Sequence, residues 1–184
     1  MRTFSITDVG MVRQVNQDYV YVTDRPLGIL QNLFVVADGM GGHQAGDYAS
    51  KYTVEVLNRE LALSEGEDIE RCLVGAIKTA NREIIKEASR DEHLKGMGTT
   101  VVAATISNQM MYFANVGDSR LYLIQSGHSA AYERSFPGRR DGKAWRDKTR
   151  KKQNIIRIKT IITRAIGAKA DVEVDFYEHR LKTG

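Results

Sequence analysis

The residues of this chain best placed to do chemistry lie in one short run. Phe34-Val35-Val36-Ala37 is an apolar strand pattern that delivers Asp38 into Gly39-Met40-Gly41-Gly42-His43, with Gly46 close behind. A strand holds its terminal carboxylate rigidly. Glycines let the backbone come close to a small ion or a phosphate and permit positive φ where another residue would clash. Carboxylate and carbonyl oxygens suit a hard divalent cation such as Mg²⁺ or Mn²⁺. By itself an Asp-Gly pair after a strand is more often a tight turn than a metal site. Further polar motifs are present: Asn16-Gln17-Asp18 after Gly10 and Arg13, Gly98-Thr99-Thr100, and Gly117-Asp118-Ser119-Arg120. Taken singly, Asp18 and Asp38 could be turn residues bonded to their own backbone, Asp118 suits a hairpin turn, and Arg13 could be a solvated surface residue.

Elements of both kinds must hold these residues. Phe4 to Asp8 and Tyr19 to Thr23 read as short strands joined by the loop that carries Arg13 and Asn16, and Leu33 to Asp38 as a buried strand. Ala45, Ala49, Tyr52, Thr53, Val56 and Leu57 recur at helical spacing. A second helix is expected after Ser64, where Glu67 completes a capping-box pattern, running through Ile69, Leu73, Ile77, Ala80 and Ile84. Thr99 to Ile106 and Met110 to Val116 form a strand pair across Ser107-Asn108-Gln109, and Arg120 to Ile124 a third strand. Strands, then two long helices, then hairpin-linked strands is an α+β order rather than the regular alternation of a doubly wound sheet.

At 184 residues, 42% hydrophobic and 27% charged, the chain fits one soluble domain with a real core. No apolar stretch approaches a membrane span and no signal-peptide pattern opens the chain, so a cytoplasmic location is expected. Cys72 is the only cysteine and, among Ile69, Leu73 and Ile77, reads as a buried helical thiol. The net charge of +4 is local in origin. Residues 1–127 carry 12 Lys+Arg against 16 Asp+Glu, and residues 128–184 carry 15 against 7. Residues 128–160 therefore stand out as an aberrant basic segment, whose apolar Tyr132, Phe136 and Trp145 follow neither helical nor strand spacing. One reading of this stretch is a basic arm for nucleic acid or an acidic partner, against which stands that basic clusters are commonly just solvated; the other, which is the one expected, rests on the sequence on both sides being in register with a known family and takes the stretch as read out of frame.

In their order and spacing, the Arg13, Asp18, Asp38, Gly98-Thr99-Thr100 and Asp118 motifs resemble the metal-dependent serine/threonine protein phosphatases of the PPM family (type 2C) in their bacterial form. The likeness covers Met1 to about Ile124 and returns at Ile161-Ile162-Thr163-Arg164-Ala165-Ile166-Gly167. It implies a four-layer α-β-β-α sandwich of two antiparallel sheets flanked by helices, with residues 1–184 forming a single partial domain incomplete at the C-terminus. It also implies two divalent ions, Mn²⁺ or Mg²⁺, which bind phosphoryl oxygens and turn a bridging water into hydroxide near neutral pH. By that resemblance Asp38 bridges both ions, the Gly39 carbonyl binds one, and Asp18 acts mostly through metal-held waters. Arg13 binds the substrate phosphate through its fork, and Asp118 is the ligand of a third, weaker ion.

The joint match reverses the turn-residue readings of Asp18, Asp38 and Arg13. Eukaryotic relatives carry an acid histidine where this chain has Met40, so His43 is read as a structural hydrogen-bonding residue; His93, His128 and His179 have no motif around them. Relatives supply two further metal-binding aspartates, in a Ser-Asp-Gly turn and an Asp-Asn pair, expected beyond Gly184. Asp171, Glu173 and Asp175 alternate along an expected strand, but with Val172, Val174 and Phe176 facing inward these carboxylates would look to solvent rather than replace them. The implied activity is hydrolysis of phosphoserine and phosphothreonine in phosphoproteins of a serine/threonine kinase pathway, by a monomer, with neither membrane nor nucleic acid as partner. The alternative is a non-catalytic remnant that binds phosphoproteins, or a chain that lacks the strands needed to fold stably.

Overall fold

The computed structural model describes residues 1–42, 45–125, 128–132 and 164–181. Strands β1 (Asp18–Thr23) and β2 (Leu33–Met40) are followed by helices α1 (Ala45–Ala62) and α2 (Ile69–Arg90) and a short 3₁₀ turn. The chain continues with β3 (Gly98–Thr99), β4 (Val101–Ser107), β5 (Met110–Val116), β6 (Leu121–Gln125), β7 (His128–Tyr132) and β8 (Asp175–Arg180). The main sheet runs β1-β2-β4-β5-β8, every pair antiparallel, with β3 against the end of β2. Strands β6 and β7 form a separate antiparallel hairpin. The β4–β5 connection is two residues, Asn108 and Gln109, both at positive φ (49° and 62°), as a right-twisting two-residue hairpin requires.

Strand alternation gives the sheet two apolar faces. Leu33, Val35, Ala37, Val101, Ala103, Ala114 and Val116 point to one side, where they meet Ala49, Val54, Leu57 and Leu61 of α1 and Leu73, Ile77 and Ile84 of α2. On the other side Ala104, Met111 and Phe113 cluster with Phe34, Ile106, Tyr177 and the β6 residues Leu121 and Leu123. Phe113 and Tyr177 stack across β5 and β8 at 4.8 Å between ring centroids. The α+β class is as expected. Among the described residues the layers are one of helices, the main antiparallel sheet, and the β6–β7 hairpin against its far face.

Several local expectations are corrected. Phe4 to Asp8 is not a strand: it has no partner strand among the described residues, and Phe4 and Ile6 are 85% and 75% exposed. A short alternating run without a ladder to join has nothing to satisfy its backbone. Helix α2 begins four residues later than Ser64 implied, because Asp68 is the cap, its carboxylate accepting from the Arg71 N–H at 2.9 Å. Ser64 instead closes α1, donating to the Leu61 carbonyl at 2.6 Å. Cys72 is half-buried at the edge of the core rather than enclosed. Strand β8 begins only at Asp175, which does not look to solvent but is ion-paired to Arg164 at 2.5 Å. Val172 is buried and Val174 and Phe176 pack on the helix-side core, as the alternation implied. Of the basic segment 128–160, His128–Tyr132 is strand β7, and the remainder lies outside the described residues.

A segment remote in sequence closes the sheet end. Ile166 exchanges two backbone hydrogen bonds with Thr99, at 3.1 and 2.9 Å. Gly167 follows at φ 87°, in a space where a Cβ would lie 2.6 Å from the Ile84 side chain. Buried Asn81 of α2 holds this return, accepting from the Gly167 N–H (2.8 Å) and donating to the carbonyls of Lys169 (2.9 Å) and Ala170 (3.2 Å). Asn81→Ala leaves those buried groups unpaired, a cost of roughly 1–3 kcal/mol. Urea denaturation will show the lower midpoint; an unchanged midpoint would mean that the return is anchored elsewhere.

Candidate functional site

Antiparallel register places Asp18, the first residue of β1, directly opposite Asp38 near the end of β2. Both lie on the sheet face away from the helices, because they alternate with Tyr19 and Ala37, which face the helix-side core. The loop before β1 is built to deliver them. The Asn16 side chain accepts from the Asp18 N–H at 3.0 Å and donates to the Thr7 hydroxyl at 2.8 Å, an Asx arrangement that starts the strand. The Gly39 N–H donates to the Gln17 carbonyl at 3.0 Å. Gln17 also reaches the Gly41 carbonyl (3.5 Å) and accepts from exposed Arg13 (3.4 Å), which brings the guanidinium to the edge of the carboxylate pair.

The glycines of this turn act chiefly through size. A Cβ on Gly39 would lie 2.0 Å from the Gly46 carbonyl oxygen and 2.5 Å from that of Gln17. Gly46 in turn has the Gln17 side chain where its own Cβ would be, at 2.8 Å. The first turn of α1 thus packs directly on the backbone that follows Asp38. Only Gly41, at φ 148°, uses the conformational freedom expected of this run. His43 lies outside the described residues.

A role not assigned in the sequence belongs to Thr100, which is fully buried between β3 and β4. Its N–H donates to the Asp38 carbonyl at 2.9 Å, and its hydroxyl accepts from the Asp38 N–H at 3.2 Å. The same hydroxyl lies 2.7 Å from that of Ser119, in the turn that carries Asp118. The Gly-Thr-Thr signal was visible in the sequence, but the partners that explain it are 62 and 19 residues away.

The electrostatics are those of crowded negative charge. The Asp38 carboxyl is held above the usual carboxylate range by partial burial, then by the charge of Asp18 and a hydrogen bond from it, then by the charge of Asp118, with Arg13 opposing. Two carboxylates can hydrogen-bond to each other only by sharing a proton, and a divalent cation relieves the same repulsion. This all-oxygen donor set fits a hard ion. Among the described residues no three His, Cys, Asp or Glu side chains converge tightly enough to form a complete cage, so the centre consists of the Asp18–Asp38 pair with Asp118 acting at longer range. Asp171, Glu173 and Asp175 are not brought to it; Asp175 and Glu173 are engaged by Arg164.

The sequence profile of protein phosphatase 2C matches residues 22–136. The serine/threonine phosphatase Stp of Listeria monocytogenes serovar 1/2a is 37% identical over 183 residues, spanning 93% of this chain and 69% of the relative. The chain belongs to the protein phosphatase 2C family. It is therefore an enzyme by descent, a protein phosphatase. Its fold matches serine/threonine phosphatase Stp1 from Staphylococcus aureus with a TM-score of 0.74 at 27% identity, covering 96% of this chain and 70% of that one. It also matches the catalytic domain of the phosphatase PstP, which was solved with two manganese ions, with a TM-score of 0.69 at 26% identity, covering 95% and 70%. Phosphatases 2C use Mn²⁺ or Mg²⁺.

Two outcomes follow for this phosphatase. Gly39→Ala forces the α1 turn off the strand and costs roughly 3 kcal/mol, since the obstructing atoms are backbone; chemical denaturation measures it. Asp38→Asn, studied with chelator present, melts higher than the wild type at pH 7, because it removes one of the opposed charges. Asp38 has a raised native pKa, so below its unfolded value of about 3.9 it is protonated in both states and adds no penalty; stability is lost as pH rises through the native value. The advantage of the variant therefore shrinks as pH falls, and a variant less stable than wild type at pH 7 would contradict the charge-crowding account.

Proposed function

We propose that this phosphatase 2C hydrolyses phosphoserine and phosphothreonine in proteins with two Mn²⁺ or Mg²⁺ ions held at the ends of β1 and β2. The observation that carries the reading is the cross-strand Asp18–Asp38 pair with Arg13 beside it. When bound, the ions supply Lewis acidity to the phosphoryl group and acidity to water. Asp38 would hold both, the Gly39 carbonyl one of them, and Asp18 would orient their waters. Asp118 would serve a third, weaker ion. The Arg13 guanidinium, exposed on the loop before β1, would take the substrate phosphate through two oxygens. Met40, paired with Gly98, offers no proton, so the leaving group would take one from water or from another group.

The β6–β7 hairpin, whose leucines seat on the far face of the main sheet, is read as part of the second sheet of a four-layer sandwich. Phosphoproteins made by a serine/threonine kinase are the proposed substrates, and a monomer in the cytoplasm the proposed state; among the described residues no helix is long and apolar enough to cross a membrane.

A second reading rests on the absence, among the described residues, of a tight group of three metal-ligating side chains: the chain binds phosphoproteins through Arg13 and one ion without cleaving them. Manganese-dependent hydrolysis of a phosphothreonine peptide separates the two. Turnover that Asp38→Asn abolishes and that Arg13→Ala lowers about 10- to 100-fold in kcat/KM, the loss expected for a charge-assisted phosphate contact, supports the enzyme. Peptide binding that depends on Arg13, with no turnover, supports the second reading.

A further inference from the structure

Thr100 touches three parts of the site at once. Its backbone N–H and its side-chain hydroxyl both bind the peptide groups of Asp38, one on the carbonyl side and one on the N–H side. The hydroxyl also meets that of Ser119 at 2.7 Å. Its methyl and Cβ fill the space over Gly117, where a Cβ would lie 2.6 and 2.8 Å from them and where the backbone turns at φ 113°. Ser119 is fixed a second time, its carbonyl accepting from the Asn115 side chain at 3.0 Å. Asp118 therefore sits between two residues, Gly117 and Ser119, that are each seated on the Thr100 side chain, one on its Cβ and methyl and the other on its hydroxyl. No other side chain in the described residues is shown to bond both the Asp38 backbone and this turn.

We infer that Thr100 is a positioning residue, whose hydroxyl sets the spacing between the carboxylates of Asp38 and Asp118 and so the affinity for the divalent ion that needs Asp118. Thr100 reaches no ion or substrate itself; it acts by locking the β5–β6 turn to the end of β2. The inference rests on the proposed metal-binding role of Asp38. Thr100→Val keeps the shape and the methyl contact with Gly117 but removes the bridge, and Thr100→Ser keeps the bridge. Outer groups that orient metal ligands are commonly worth 10- to 100-fold in metal affinity.

The test measures Mn²⁺ binding to the full chain by calorimetry and by manganese electron paramagnetic resonance, beside metal-free thermal unfolding, for Thr100→Val, Thr100→Ser, Ser119→Ala, Asp118→Asn and the Thr100→Val/Asp118→Asn double variant. The weaker class of Mn²⁺ sites is expected to lose about tenfold in affinity in Thr100→Val and in Ser119→Ala, and to be restored in Thr100→Ser. The double variant should bind no more weakly than Asp118→Asn alone, because both changes act on one ligand. A Thr100→Val protein that folds and binds Mn²⁺ like wild type overturns the inference, as does a double variant in which the two losses add. Should Thr100→Val unfold, Ser119→Ala carries the same comparison, since it breaks the bridge from the half-buried side of the turn rather than from the core. Asp38→Asn serves as the separate control: if it leaves Mn²⁺ binding intact, the metal-binding role of Asp38 itself fails, whatever Thr100 does.

Discussion

Two carboxylates facing each other across an antiparallel ladder define this protein. Like charges directly opposite one another weaken a strand pair, and here they occupy the first rung of β1 on β2, where Asp18 meets Asp38. Burial and the nearby Asp118 add to the strain, and only Arg13 relieves it among the groups acting on Asp38. A sheet end arranged like this stores unfavourable energy until a proton or a cation neutralises it. Stability is given up locally so that charge can be drawn in.

The surrounding structure offsets that cost with contacts that leave little freedom. Gly39 and Gly46 allow strand and helix backbones to touch, so that the peptide after Asp38 cannot shift without moving α1. Thr100 bonds both peptide groups of Asp38, and the Ile166–Thr99 exchange holds the neighbouring residue in place. These are mostly backbone hydrogen bonds and steric contacts, which do not weaken when the carboxylates change charge. Charged side chains in the same place would be screened by salt or would titrate with the site they support.

What could be seen in the sequence was whatever depends on near neighbours. The apolar run ending in Asp38, the helical spacing of α1 and α2, and the turn at Asn108-Gln109 are local patterns, and each became the element expected. The carboxylates at 18, 38 and 118 were legible only through their joint order. Roles set by distant partners were not legible. The glycine run looked like room for an ion, yet Gly39 is small because of a carbonyl in α1, and Asn81 is polar because of a turn 86 residues away. Phe4 to Asp8 failed for the converse reason: its pattern suits a strand, but strand formation depends on a neighbour that the pattern cannot supply. Asp68 rather than Ser64 capped α2 because both types suit a cap, and Ser64 was already committed to the end of α1.

The same distinction explains why the segment at Ala165-Ile166-Gly167 matters to a site it does not line. Ile166 completes the ladder on Thr99, whose neighbour Thr100 holds Asp38; Gly98 is itself excluded from bearing a side chain by the Ile166 carbonyl, 2.8 Å from where a Cβ would stand. The seating of Asp38 and of the turn that carries Asp118 thus depends on a chain return held by Asn81 and flanked by the Arg164–Asp175 pair. Disturbing that return would first loosen β3, a strand of two residues with little pairing of its own. Through Thr100 the disturbance would reach the spacing of the carboxylates before it reached the core, where Leu57, Ile77 and Phe113 are fully buried. On the proposed metal-binding role of Asp38, affinity for divalent ions should therefore be more sensitive than global stability to changes along this route, because the route ends at Asp38, where charge is already held against the repulsion of Asp18 and Asp118.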